Sequence, residues 1–455
     1  MTRSYMRAVF ACIAAALIVL SASPAPGIRS IVGHGTAQAV LYILRRPSAQ
    51  ELANRNTRAK YEPPIGCYLG GYVEFDRTIQ RRIVDFDRVQ RRDPTQFEER
   101  VGKSHAMYFF YVGYGKQVPL GWVRWLSDHG KFVHIALEPN DGLDRVKDDA
   151  YLRKLADDLG ATRARIFLRF GSEMNGEWTN YHNPKKFREK FRLVHAVMHK
   201  RAPNVALVWC PYATPIRNIP DYYPGDDATD WVGVNMYSVI YHNNKLDEPC
   251  ETEHTNDLLS EVYRRYSARK PMMVCEFGAT HFSDCDQRWR PDFAALKIGT
   301  LYRAIPRLYP RIKAINYFDL SSDGVHNNYS VTDDPSILEA YKRATAPAYY
   351  ISDGARLTDP GRAAVPMQVR KGELLRGNVE LSCFARAPSD RVSVRYTVDG
   401  FSIYNAAHPI DWPCTWDSGS VKPGRHLLGL HVFDASGRKV AAQELSVITA
   451  KEGQQ

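Results

Sequence analysis

Glu173 and Glu276 are the side chains whose surroundings are hardest to explain by packing alone. Glu173 follows the apolar run Ile166-Phe167-Leu168, inside a polar burst that also holds Arg169, Ser172 and Asn175. Further on, Met272-Met273-Val274-Cys275 stops on Glu276, ahead of Phe277-Gly278. Each apolar run reads as a short buried strand, which puts each carboxylate at the C-terminal end of a parallel-type strand. Either one alone could be a strand-end acid paired with a neighbouring arginine. Together they form the pair that glycosidic bond cleavage requires, one carboxyl to protonate the leaving oxygen and one to attack or to activate water.

The elements that must position them follow a regular grammar. Strand candidates fall at Ile65–Tyr72, Ala106–Tyr111, Phe132–Leu137, Arg165–Phe170, Val205–Cys210, Trp231–Asn235, Met272–Glu276 and Ile312–Phe318. Helical patterns lie between them, at Asp149–Leu159, Pro184–Lys200 and Asp257–Tyr266. Asn183 before Pro184 is an N-cap followed by a first-turn proline, with Phe187, Phe191, Val194 and Met198 at helical spacing. Strands alternating with helices imply a parallel sheet, and eight such units imply a closed (β/α)8 TIM barrel over residues 61–346. Residues 347–366 read as a linker. Beyond it, Asn378–Phe384, Arg391–Val398, Arg425–Phe433 and Ala441–Thr449 alternate apolar and polar residues, with Asp399-Gly400 and Ser436-Gly437 as turns. That predicts a small all-β, immunoglobulin-like sandwich over residues 367–455.

A chain of 455 residues suits such a barrel with an appendage. Its net charge of +11 is spread over sites such as Arg81, Arg82, Arg264 and Arg265, which read as solvated helix faces. No long basic block is interleaved with aromatics, so nucleic acid is excluded as a partner, whereas association with an acidic polymer or cell envelope fits. Arg3 and Arg7 precede the apolar run Ala8–Leu20, which breaks into Ser21-Ala22-Ser23-Pro24. This is the order of a secretory signal, placed at residues 1–22 and followed by a leader at 23–60. A secreted or periplasmic protein is expected, with an uncleaved membrane anchor as the alternative. In such a compartment Cys250 with Cys285, and Cys383 with Cys414, are disulfide candidates. Cys67, Cys210 and Cys275 read as buried small hydrophobes. There is no Cys-x-x-Cys and no His-Glu-x-x-His, so neither metal nor cofactor is expected. Oligomeric state leaves no trace.

The run Arg169-Phe170-Gly171-Ser172-Glu173-Met174-Asn175-Gly176-Glu177-Trp178 resembles glycoside hydrolase family 26, in the clan of retaining (β/α)8 glycosidases. So do Asp230-Trp231-Val232-Gly233-Val234-Asn235-Met236-Tyr237 and Val274-Cys275-Glu276-Phe277-Gly278. The resemblance covers about residues 61–345. It implies Glu173 as acid/base, Glu276 as nucleophile, Tyr237 as a hydrogen-bond donor to that nucleophile, and Trp178 as a sugar platform. Arg169, on the same strand face below Glu173, becomes a charge partner. Asn175, Glu138, Asn140, Tyr317 and Asp319 become substrate contacts. Family mannanases usually carry His where this chain has Ser172, so the contact near the sugar's 2-hydroxyl must be rearranged. The expectation is a retaining endo-β-glycosidase acting on an envelope or extracellular polysaccharide. Its rival is a catalytically idle barrel that binds glycan in polysaccharide export or envelope structure.

Other motifs carry less. Gly102-Lys103-Ser104 imitates a phosphate loop, but Phe97 stands where its first glycine should be. His134 reads as a core residue. Trp412 and Trp416, flanking Cys414, read as sandwich core.

Overall fold

The computed structural model describes residues 37–322, 324, 326–354, 364–387, 391–407 and 412–451. The signal reading and Cys12 lie outside the described residues. Eight parallel strands pair in order: Cys67–Phe75, Met107–Gly113, Phe132–Glu138, Ile166–Phe170, Val205–Trp209, Trp231–Ser238, Met272–Ala279 and Ile312–Leu320. The eighth pairs with the first, from Ala314 opposite Tyr68 to Leu320 opposite Phe75, so the barrel closes.

Side-chain alternation sorts these strands into an inside and an outside. Tyr68, Met107, Phe132, Phe167, Val208 and Trp231 belong to the cluster that fills the barrel's lower interior. Tyr72, Phe109 and Phe318 form a smaller aromatic layer above it. Their neighbours in sequence, such as Leu69, Val133 and Leu168, face the helices in the largest core cluster. Those helices begin where local chemistry says they should. Asp149 caps Ala150–Thr162 by accepting from Leu152 N, and Asn183 caps Pro184–Arg201 by accepting from Lys186 N. Between the fifth and sixth strands the described chain makes only 3₁₀ turns, Ile216–Tyr222 and Asp226–Ala228.

The sandwich departs from the sequence reading at its origin. Gln38–Arg45, assigned above to a leader, is a strand lying between Val365–Gln368 and Asn378–Arg386, antiparallel to both. Cys414–Asp417 completes this sheet. The second sheet runs Leu374–Arg376, Lys439–Ala450, Gly424–Phe433, Ser393–Val398, Phe401–Ala406. Leu41 and Ile43 point into the sandwich core with Val394, Tyr396 and Leu430, while Tyr42 joins the core cluster of the barrel. One strand thus packs both bodies. A short segment of the expected linker, Tyr350–Ile351, pairs with the first barrel strand. Arg386 grips Asp257 with two bonds of 2.5 and 2.7 Å, and Arg303 lies over the Trp412 ring at 4.4 Å.

Neither expected disulfide is formed; all seven cysteines among the described residues are free thiols. Leu381 is the register partner of Cys414, which leaves Cys383 two residues along. Such diagonal positions are about 7–8 Å apart, beyond comfortable disulfide reach. Cys250 Sγ lies 3.3 Å from the Val239 carbonyl, and Cys285 Sγ lies 3.4 Å from Ser283 Oγ.

Leu41 is fully buried. Leu41→Ala should therefore cost the sandwich about 2–5 kcal/mol, read by chemical denaturation on tryptophan fluorescence. A loss under about 0.5 kcal/mol, the range of surface substitutions, would show that the N-terminal strand does not carry the sandwich core.

Candidate active site

Both carboxylates reach the C-terminal mouth of the barrel because the backbone breaks its own regularity there. After the fourth strand the chain turns through Gly171 at φ +59° and Glu173 at φ +58°. The left-handed conformation costs a residue such as Glu roughly 1–2 kcal/mol, and a set of hydrogen bonds holds it in place. Gly171 N donates to Leu137 O at 3.0 Å, Glu173 N to Cys210 O at 2.9 Å, and Gly176 N to Glu173 O at 2.8 Å. The Glu138 carboxylate receives Ser172 N at 2.9 Å, the Ser172 hydroxyl, and the Tyr181 hydroxyl at 3.1 Å.

Glu276 is aimed by a bulge. Val274 pairs with Val234 and Glu276 with Asn235, leaving Cys275 as an extra residue. Cys275 already faces the barrel interior, so plain alternation would send Glu276 outward to the helices. The extra residue brings it back inside. Gly278 completes the arrangement, since a Cβ there would stand 2.9 Å from the rings of both Tyr237 and Tyr329.

Three donors converge on Glu276. Oε1 accepts from Tyr111 OH at 2.6 Å and from Arg169 Nη2 at 2.5 Å; Oε2 accepts from Tyr237 OH at 2.5 Å. Arg169 is fully buried and faces the Phe109 and Tyr111 rings. Its Nη1 donates to Asn235 Oδ1 at 2.9 Å, and Asn235 Nδ2 donates to Glu173 Oε1 at 2.8 Å. Trp178 Nε1 donates to Glu173 Oε2 at 2.7 Å. One chain of contacts therefore runs from Glu276 through Arg169 and Asn235 to Glu173. Burial pushes the Glu173 carboxyl up to about 7; the Glu276 charge adds to the rise, and the bonds from Asn235 and Trp178 oppose it. Burial and the same Glu276 charge push the Tyr111 and Tyr237 hydroxyls well above the usual phenol range, so both act as donors.

Of the residues expected in the site, Glu173, Glu276, Tyr237, Arg169 and Trp178 come together. Ser172 and Glu138 are adjacent but bonded to each other. Asn175 ties a neighbouring loop, donating to the Tyr212 and Pro215 carbonyls and accepting from Tyr212 N. Asn140 is exposed beyond the third strand. Tyr317 and Asp319 are corrections. Ala314 lies in the barrel interior and Phe318 in the aromatic layer above it, so Tyr317 faces the helices against Phe277 and Tyr341. Asp319 is fully buried and accepts from Val331 N at 2.8 Å. Phe318 is the residue that faces the mouth, 5.7 Å from Tyr237 edge to face.

Asn235, Tyr111 and Phe318 were missed as site residues. The signal for Asn235 was present, a lone amide in an apolar strand two residues before Tyr237. Tyr111 gave none beyond its place at a strand end.

No protein-family model matches the chain. It is similar to endoglucanase H of Acetivibrio thermocellus, at 22% identity over 269 residues, covering 54% of this chain and 28% of that protein. It is similar to a β-1,3-xylanase of an Alcaligenes species, at 24% over 151 residues, covering 32% and 29%. A β-1,3-xylanase of a Vibrio species matches at 26% over 141 residues, covering 30% and 28%. The chain thus spans less than a third of the length of each of these curated relatives. Among solved structures, a modular endo-β-1,4-mannanase from Cellulomonas fimi aligns with a TM-score of 0.48 and 15% identity, over 85% of this chain and 94% of that one. A family 26 β-mannanase from Bacteroides ovatus aligns at 0.48 and 13%, over 68% and 96%.

The folded pKa of Glu173, about 7, lies above its unfolded value. The protonated carboxyl therefore contributes stability that is present below the unfolded pKa and is lost as pH rises through about 7. Carbon-13 titration of Glu173 should show a midpoint near 7 that falls in Glu276→Gln, because a raising charge has been removed. An unchanged midpoint in that variant would mean the two carboxylates do not feel each other.

Proposed function

We propose that this chain is a retaining endo-β-glycosidase that hydrolyses a polysaccharide by double displacement. The observation that carries the reading is the buried pair itself, with Glu173 held near 7 by burial and the Glu276 charge while three donors grip Glu276. At neutral pH a fraction of Glu173 is protonated and can give its proton to the leaving glycosidic oxygen. Glu276 attacks the anomeric carbon as that bond breaks. Once Glu276 is glycosylated its charge is gone, which removes one of the two causes raising Glu173. Glu173 then favours its ionised form, as it must to take a proton from the attacking water. Tyr111 and Tyr237 orient the nucleophile, and Trp178 both bonds Glu173 and offers a ring to the sugar beside it.

The names of the similar proteins, an endoglucanase and two xylanases, support a β-glycan substrate and the endo mode. Export to the envelope or beyond rests on Arg3, Arg7 and the apolar run Ala8–Leu20.

Glu276→Ala should abolish release of reducing ends from β-glucan, mannan and xylan while leaving fold and glycan binding intact. Azide should rescue it as a glycosyl azide of inverted configuration. Wild-type turnover in that variant would sink the assignment, and a wild type that binds glycans but releases nothing would favour an idle binding barrel. Proton NMR of the first product should show retained configuration, which requires carboxyl groups about 5–5.5 Å apart.

The Ser172 hydroxyl is already given to Glu138, so no evident device favours an axial 2-hydroxyl. Wild type should turn over gluco-configured β-glycan better than mannan, and Ser172→His should shift kcat/KM towards mannan. High wild-type mannanase activity that the substitution leaves alone would show that Ser172 does not set specificity.

A further inference from the structure

We propose that His242, Cys250 and Glu253 form a zinc site in the loop that follows the sixth barrel strand. A ring nitrogen, the thiol sulfur and a carboxylate oxygen lie within 4.8 Å of one another, and His242 Nε2 stands 2.8 Å from Glu253 Oε1. Tetrahedral zinc, with bonds of about 2.0–2.3 Å, sets its donors about 3.3–3.8 Å apart. Small side-chain adjustments would let one ion replace the contacts that now join the three groups. Thiolate and imidazole select zinc over magnesium or calcium. Deprotonated Cys250 and Glu253 with a neutral His242 carry two negative charges, which balance Zn2+; the thiol proton and the proton that the bonds to Cys250 and Glu253 hold on His242 are released to solvent on binding. Cys250 is buried, Glu253 partly buried and His242 exposed, so the solvent side is open to a water as fourth ligand.

The backbone already holds the ligands in place. Cys250 N donates to Ile240 O at 2.8 Å, His242 N to Glu248 O at 2.9 Å, and Glu253 N to Cys250 O at 3.0 Å. Lys297 Nζ donates to the Glu253 carbonyl at 2.6 Å. The same loop is tied to the one after Glu276: Tyr241 OH donates to Asp286 Oδ2 at 3.0 Å, and Asn244 Nδ2 to Asp284 Oδ2 at 2.8 Å. Zinc here would fix two rims of the barrel mouth at once. A Cys250–Cys285 disulfide would use the same sulfur, so the two states exclude each other. Nothing in this site depends on the glycosidase reading.

The test uses the full chain, reduced, stripped with chelator and titrated with Co2+ and then Zn2+. A near-ultraviolet thiolate-to-cobalt charge-transfer band should saturate at one ion per chain and be bleached by zinc. It should vanish in Cys250→Ser and persist in Cys285→Ser. A second cluster, His195, His199 and Asp230, has no sulfur and cannot give that band. Glu253→Gln and His242→Ala, changes outside the buried core, should each weaken zinc by about tenfold or more, the scale that even outer partners of a metal reach. They keep the test decisive if Cys250→Ser fails to fold. No band in wild type, a band surviving in Cys250→Ser, or unchanged zinc affinity in both other variants would overturn the site. So would peptide mapping that finds Cys250 joined to Cys285 in the native chain.

Discussion

The site depends on one buried cation. Arg169 sits under the barrel mouth with no exposure to solvent, and it is bonded to Glu276 and Asn235. Two carboxylates in a closed, low-dielectric cleft cannot both stay ionised cheaply, and a single guanidinium can neutralise only one of them. It touches Glu276 directly and reaches Glu173 only through the Asn235 amide. That asymmetry gives Glu276 the direct counter-charge and leaves Glu173 as the carboxyl that burial and the Glu276 charge push up to about 7. Two side chains of the same type are thereby given different electrostatic settings by position alone.

Placing three charges at one point demanded departures from regular backbone on both sides of the cleft. On one side a left-handed residue turns Glu173 over the mouth; on the other, one extra residue swings Glu276 inward. Each departure is braced locally, by the Glu138 carboxylate beneath the first and by the narrow Gly278 beside the second. The barrel below stays regular, and its alternation continues through the aromatic layer of Tyr72, Phe109 and Phe318. Irregularity is confined to the rim, where it aims side chains.

What the sequence disclosed follows the same division. The barrel was legible because its signal is local: eight apolar runs of strand length, with helical patterns between several of them. Glu173 and Glu276 were legible because polar residues at strand ends are conspicuous. Tyr317 and Asp319 were misplaced because a strand read one residue out of phase exchanges its two faces, and nothing local marks the phase. The strand Gln38–Arg45 was hidden for another reason. Its partners, Val365–Gln368 and Asn378–Arg386, lie on the far side of the whole barrel in sequence, and no short-range pattern announces such a pairing. Asn235 was visible as a lone amide in an apolar strand, but what it joins was not, since such an amide looks like any tolerated polar residue until Arg169 and Glu173 are in place on either side of it.

Ser172 and Glu138 show how this rim differs from a site that would present an imidazole at the same place. Burial raises the Glu138 carboxyl above the usual carboxylate range, against the opposing effects of Arg169 and of the bonds from Ser172 and Tyr181. Those bonds are what the left-handed turn needs, since they anchor the residue lying between Gly171 and Glu173. A histidine at 172 has no hydroxyl to give Glu138, so it would lose the short side-chain bond that Ser172 makes. Glu138 therefore bears on the site through the placement of Glu173. The placement of Glu173 and the chemistry offered at position 172 are in this way coupled through one serine.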